Sequence, residues 1–223
     1  EVWDFSEQHL RSGLFGSQSL DTIVGALARW SDPVREAEFP WPASPRQDEA
    51  VKHIQNVIYI QPRTAPLDND RIKQAVFDHG AIWADMVFAP SRYNSAQAAY
   101  FNAGTEGETR AVAIAGWDDA FDRNKFSPAA PGNGAFLCKN SLGSAWGNGG
   151  YFYVSYHDAF LARRYYSAAI MAEPRSGYTV QYARDANGCT TRIGYGSETA
   201  WFSAPFTAAT ADPLAAVAFY AFT

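Results

Sequence analysis

Between Leu20 and Trp30 the chain reads LDTIVGALARW, and Leu20, Ile23, Val24, Leu27 and Trp30 recur at i, i+3, i+4, i+7 and i+10. That spacing predicts a helix with one apolar face. Ser6-Glu7-Gln8 ahead of Leu10 has the form of a cap leading into an earlier, shorter helix. Pro33 is expected to end the second helix, and Glu38 to Pro45 (EFPWPASP) carries three prolines in eight residues, which predicts extended loop. Val57 to Ile60 reads as a short strand. Asp68-Asn69-Asp70 then caps a helix whose apolar residues are Ile72, Ala75, Val76 and Phe77, with Gly80 in the C-cap position.

From Ala81 the apolar period falls from 3.6 to about 2. Strands are predicted at Ala81 to Phe88 (AIWADMVF), Ala111 to Trp117 (AVAIAGW), Gly134 to Asn140 (GAFLCKN) and Gly150 to Tyr156 (GYFYVSY), with a further one at Tyr165 to Ala172. Helices first and strands second predict an α+β chain and argue against alternating βαβ units of the dinucleotide-binding kind. After Glu173-Pro174-Arg175-Ser176-Gly177 the segments become short and rich in Gly and Thr, so a second module is expected to begin there.

Composition narrows the function. The 223 residues hold 18 Lys and Arg against 23 Asp and Glu, a net charge of −5, with 47% hydrophobic and 15% aromatic residues. Apart from the adjacent Arg163 and Arg164 the basic residues are scattered singly, so no stripe suits a nucleic-acid backbone. The longest nearly apolar stretch, Pro213 to Phe222, has ten residues, about half of what a bilayer crossing needs. Cys138 and Cys189 are the only cysteines, which excludes a disulfide framework and every Cys-rich metal or haem motif. The 12 Tyr and 7 Trp with few Lys and Met fit an exported protein, and the abrupt start at Glu1-Val2-Trp3 suggests a piece of something longer.

Three segments together carry chemistry. They are Ser6-Glu7-Gln8-His9-Leu10, the run Ala111-Val112-Ala113-Ile114-Ala115-Gly116-Trp117-Asp118-Asp119, and Lys139-Asn140-Ser141-Leu142-Gly143-Ser144-Ala145-Trp146-Gly147. In order and spacing they resemble the papain-like cysteine peptidases: the segment after the nucleophile helix, the strand after the catalytic histidine, and the loop around the catalytic asparagine. The resemblance covers roughly residues 1 to 173. Within the family the chain is similar to a bacterial and archaeal surface branch with an insertion after the Gly-Trp-Asp-Asp run, here Ala120 to Asn133. That branch carries a C-terminal lectin-like domain, and Tyr178 to Thr223 looks like its beginning.

The resemblance implies a two-lobed α+β fold, a helical lobe against an antiparallel β lobe, followed from 178 to 223 by the start of an all-β lectin-like module. It implies a secreted or cell-surface protein with no cofactor and no metal. It also implies a Cys–His–Asn mechanism, in which a thiolate attacks, an imidazole moves the proton and an amide holds the ring. Asn140 matches the family asparagine. Arg110 stands at the histidine position directly before Ala111-Val112, and Leu142 replaces the tryptophan that shields the Asn–His bond in the family. The nucleophile and the oxyanion-hole glutamine are expected upstream of residue 1.

A guanidinium keeps its proton far above neutral pH, so Arg110 is predicted to be non-catalytic. It is either a residue at the start of a strand in an inactive member or a recruited carboxylate binder. Asn140 is expected to serve backbone hydrogen bonds, and Cys138 to be a small buried hydrophobe. Whether Cys138 bonds to Cys189 stays open, since sequence does not place two sulfurs. His9, His53, His79 and His157 are dispersed and read as solvated or capping residues. Asp118, Asp119 and Asp122 lack the alternation of a calcium loop and read as a turn. Ala111, Leu142 and Trp146 are the candidates for lining a substrate cleft between the lobes. The aromatics from Phe39 to Trp41 and from Trp146 to Tyr153 are expected to line a peptide or sugar groove or, as is the more frequent use, to pack a core.

The function expected is therefore that of an inactive homologue binding protein or glycan. The alternatives are an active endopeptidase with its nucleophile upstream, or a structural component of a surface assembly. No nucleic-acid partner is expected. Another chain or flanking segments are expected to cover the apolar faces of 20–30 and 214–222.

Overall fold

The structure is a computed structural model, and it describes residues 5, 10, 19–30, 33–40, 50–175, 180–183, 196, 199, 201 and 203–219. The proposed helix after Ser6, Cys189 and His9 lie outside the described residues, as does most of the segment 178–202. The chain forms two compact units, one of residues 57–170 and the other of residues 1–56 with 171–223.

Helix α1 (Leu20–Ala28) begins at Ser19, whose hydroxyl accepts from the Thr22 N–H at 3.3 Å, and buries Val24, Gly25, Ala26 and Leu27. It stops before Trp30. Trp30 has a left-handed φ of 58° and stacks on His53 with ring centroids 3.9 Å apart and planes parallel within 1°. The tryptophan expected to extend the helix stripe thus serves a different contact, and the helix has already ended three residues or more before Pro33.

Strand β1 (Lys52–Ile60) is five residues longer at its start than the apolar run Val57–Ile60 indicates. Helix α2 (Asp70–His79) buries Ile72, Ala75 and Val76, the i, i+3, i+4 stripe. Phe77 is the exception: its ring is 78% exposed, because position i+5 from Ile72 turns it away from the stripe. The expected cap is also different in chemistry. Asp68 accepts from the Thr64 N–H and hydroxyl at 2.9 and 2.8 Å, and the Asn69 side chain accepts from Arg63, so neither side chain caps the helix. Asp70 in the first turn faces the positive end of the helix dipole. Gly80, at φ 83°, closes the other end with its N–H on the Val76 carbonyl.

The remaining strands are β2 (Ile82–Phe88), β3 (Tyr93–Asn94), β4 (Ala99–Tyr100), β5 (Glu108–Asp118), β6 (Ala135–Lys139), β7 (Tyr151–Ser155) and β8 (Ser167–Pro174). The sheet runs in the order β1-β8-β2-β5-β6-β7-β4-β3. It is a mixed sheet, which corrects the expectation of an antiparallel one: β4 lies parallel to β7, Ala99 opposite Tyr153. Two-residue strands have no readable period, and a parallel pairing across some 50 residues leaves no local trace.

Within residues 57–170 the core face of the sheet carries Ile82, Ala84, Met86, Val112, Ile114, Phe136, Cys138, Phe152 and Val154, with Ile72 and Val76 of α2. Alternation on β2 and β5 makes this possible, since their registered pairs Ile82–Ile114 and Ala84–Val112 point the same way. The segment 120–133 packs a smaller cluster of its own, in which Phe121 and Phe126 meet Phe101 and Ala135. The described residues from Val180 onward carry no helix or strand. The fold is α+β, with few helices beside one mixed sheet. Among the described residues no helix is long and apolar enough to cross a membrane.

Candidate functional site

Strands β5 and β6 bring the two residues of interest together. Ala113 lies opposite Lys139, so the next position of β6, Asn140, comes level with Val112. Arg110 is two residues further along β5. With strands ~4.8 Å apart and a rise of ~3.3 Å per residue, their Cα atoms are about 8 Å apart. Thirty residues of sequence separate them, and the hairpin-like return of the chain through 119–134 closes that gap.

Arg110 shares a face with Val112 and Ile114 and projects past the edge of the core. Its guanidinium lies 5.0 Å from the centre of the Phe88 ring and donates to Glu108 at 2.9 Å. A planar cation over an aromatic face is a stable arrangement. It leaves Arg110 occupied by its own chain, and the pair with Glu108 is exposed and contributes little.

Asn140 is buried. Its N–H donates to the Gly150 carbonyl at 3.0 Å, and its side-chain oxygen accepts the Ser141 N–H at 2.7 Å. The amide oxygen is therefore spent on starting the turn that runs from 141 to 150, a local side-chain-to-backbone closure typical of Asn. Leu142, on that turn, is half exposed. Trp146, on the same turn, packs inward. Its ring stacks on Tyr93 (centroids 4.7 Å, 16°) and meets Phe152 and Phe88 edge-on, so the indole is held by the core cluster.

Ala111 faces the other way. With Trp83, Ala113, Lys139, Asn140 and Ser141 it lines an open depression of about 360 Å³ on the outer face of the sheet. Of the three cleft candidates, Ala111 alone is among its lining residues. Trp83 and Lys139 line it without having been singled out from sequence. The signal was present in the alternation of Ala81 to Phe88, where Trp83 and Asp85 fall opposite to the buried Ile82, Ala84 and Met86.

The other titratable groups are placed as structural members. Cys138 is free and fully buried between its cross-strand neighbours Ile114 and Phe152, and burial pushes its thiol far above the usual range. A thiol held protonated is a poor nucleophile. His53 is buried under Trp30, and desolvation with the nearby Arg175 lowers its pKa. His157 is half-buried, its pKa also lowered by burial and by three arginines, Arg63 first. His79 is exposed at the end of α2. Asp118 and Asp122 accept from the backbone N–H groups of Ala120 and Asn124, and Asp119 takes Lys73 and the Tyr156 hydroxyl.

Residues 34–173, which hold these strands and the turn after Asn140, match a family profile described as papain family cysteine protease. The chain belongs to the papain family of cysteine proteases. Among solved structures, a clostridial cysteine protease, Cwp84, after propeptide cleavage is 25% identical with a TM-score of 0.67, covering 82% of this chain and 51% of that one. A second structure holds the cysteine protease and lectin-like domains of Cwp84, a surface layer associated protein of Clostridium difficile. It is 24% identical with a TM-score of 0.65 and covers 78% and 43%. The bromelain protease of Ananas comosus shares the fold at 17% identity and a TM-score of 0.55, covering 78% and 80%. The chain thus spans about half the length of the two Cwp84 structures. No curated protein matches the sequence.

Proposed function

We propose that this chain is a catalytically degenerate papain-family member that acts by binding polypeptide along the outer face of the β2–β5–β6 strands. The observation that carries the reading is Arg110. It precedes Ala111-Val112 where the family places its histidine, and its guanidinium is engaged by Glu108 and Phe88. A guanidinium neither deprotonates a thiol nor protonates a leaving amine, and those transfers contribute on the order of 10²–10⁴ in rate. The amide oxygen of Asn140, at the position that would orient the imidazole, is bonded to Ser141 instead.

Support for a secreted, surface-associated setting comes from the Cwp84 structures, one of which is described as surface layer associated. The same structure pairs its protease with a lectin-like domain, which supports reading residues 1–173 as the papain-like domain and 178–223 as the first part of a lectin-like one.

The test is turnover by the full polypeptide on fluorogenic peptide amides, with and without a thiol-reactive peptide electrophile. Neither the unaltered protein nor Arg110→His is expected to show inhibitor-sensitive cleavage, because residues that act as a catalytic unit are not restored one at a time. Inhibitor-sensitive cleavage by the unaltered protein would overturn the reading in favour of an active endopeptidase.

A further inference from the structure

The depression beside Ala111 has a charged end. Alternation along β2 sends Ile82, Ala84 and Met86 into the core and leaves Trp83 and Asp85 on the outer face. The register sets Asp85 opposite Ala111 and Trp83 opposite Ala113. Residues directly opposed on neighbouring strands share a face, so the carboxylate continues the row that begins with the depression's own lining. On the β5 side the neighbour is the Ala111 methyl group; on the β8 side the chain after Ala162, whose N–H reaches the Asp85 carbonyl at 3.5 Å, runs alongside, and no described side chain on either side bonds to the carboxylate. Asp85 is half-buried, and its side chain makes no hydrogen bond or ion pair among the described residues.

A partly desolvated carboxylate without a partner is unusual, because burying charge is costly unless it is paired. Desolvation pushes its pKa up to about 6. At neutral pH the group is still mostly ionised, so it is an acceptor waiting for a cation. Lys139, exposed, registers with Ala113 one strand beyond β5, on the far side of the depression from Asp85. By strand spacing and rise it starts about 12 Å away, too far for a direct pair at the backbone level. One end of the face is therefore negative and the other positive, with Trp83 and alanines between them.

We propose that this face takes a basic side chain of the bound polypeptide, preferentially arginine, with Asp85 as the residue that determines the preference. The inference rests on the reading of this face as a polypeptide-binding surface. A guanidinium fits better than an ammonium for two reasons. Its fork meets a carboxylate through two parallel hydrogen bonds, and its flat face packs on an aromatic ring. Trp83, two residues from Asp85 on the same side of β2, supplies that ring. An aliphatic side chain in the same place would leave the carboxylate more desolvated than before and still unpaired.

The test uses heptapeptide pools with randomised flanks and a fixed central arginine, lysine or citrulline, titrated into the full polypeptide by calorimetry. Citrulline keeps the shape of arginine and removes its charge. The arginine pool is expected to bind at least about tenfold more tightly than the citrulline pool, with lysine between them. In Asp85→Asn, a nearly isosteric change, arginine and citrulline are expected to bind alike. Equal binding of the two pools by the unaltered protein would overturn the assignment of Asp85 while leaving the polypeptide-binding reading in place. So would a preference that survives in Asp85→Asn. Failure of every pool to bind would overturn both. The comparison of pools on the unaltered protein does not depend on the variant folding.

Discussion

Replacing Arg63 by Met should destabilise the 57–170 unit by about 4 kcal/mol. Arg63 is 4% exposed and sits over the Phe136 ring at 5.1 Å. One terminal nitrogen donates to the Pro66 carbonyl at 3.1 Å, the Asn69 side-chain oxygen at 2.8 Å and the Tyr156 carbonyl at 3.1 Å, and the other donates to the Leu161 carbonyl at 2.9 Å. The guanidinium so ties the segment before α2 to the segment after β7. Burial, with Arg163 nearby, lowers its pKa to about 10, so it remains charged at neutral pH. Methionine fills a similar volume but donates nothing, and four acceptors would be left without their donor. At about 1 kcal/mol for each, the lower end of what a deprived buried group costs, the loss is about 4 kcal/mol. That is a large part of a typical domain's 5–15 kcal/mol. Urea denaturation followed by tryptophan fluorescence measures it: with a slope of about 2 kcal/mol/M, the midpoint should fall by about 2 M at unchanged slope. Arg63→Lys should fall by about half as much, since a point charge does not span the same acceptors. A shift below about 0.5 M in Arg63→Met would refute the reasoning, because it would mean that water or repacking satisfies the four oxygens without the guanidinium.

Asp85→Asn should stabilise the fold at pH 7.5 and do little below pH 4. The folded-state pKa of about 6 lies above the ordinary 3.8, so the native state favours the protonated form. The ionised form is disfavoured increasingly as pH rises from about 4 to about 6 and fully above that. Allowing for partial solvation, the gain at pH 7.5 is about 1 kcal/mol, read as a higher melting temperature that converges with the unaltered protein on acidification. Cys138 should resist thiol reagents in the native protein and label only on unfolding, as mass mapping of the modified peptide would show. Rapid native labelling would contradict its placement between Ile114 and Phe152. Gly134→Ala should destabilise by roughly 2–3 kcal/mol, because a Cβ there would lie 2.4 Å from the Tyr156 ring on a backbone with φ 101°. Chemical denaturation is the check, and a neutral result would place Tyr156 elsewhere.

Much of the architecture was written in periodicity. The stripe Ile72, Ala75, Val76 and the alternation in β2, β5, β6 and β7 are local properties, and each element buries the residues its period selects. Phe77 is a case where reading apolar residues as a group misleads: the helix turns it out of the stripe, and only the geometry of 3.6 residues per turn separates it from its neighbours. The family, too, was legible from the runs 111–119 and 139–147, both within the matched residues 34–173, since their residue types are tied to a strand and a glycine-rich turn.

What the sequence by itself determined, then, was the succession of elements, the inner face of each, and the family to which residues 34–173 belong. Tertiary structure decided which of these elements touch. Whether Asn140 turns its oxygen toward Ser141, whether Trp30 leaves its helix for His53, and whether Arg63 is a surface cation or a buried tie all depend on partners tens of residues away. So does the placement of Asp85 beside Ala111. The physical reason is the same throughout: propensity and period are set by neighbours along the chain, whereas pairing, parallel register and the satisfaction of a buried charge are set by neighbours across it.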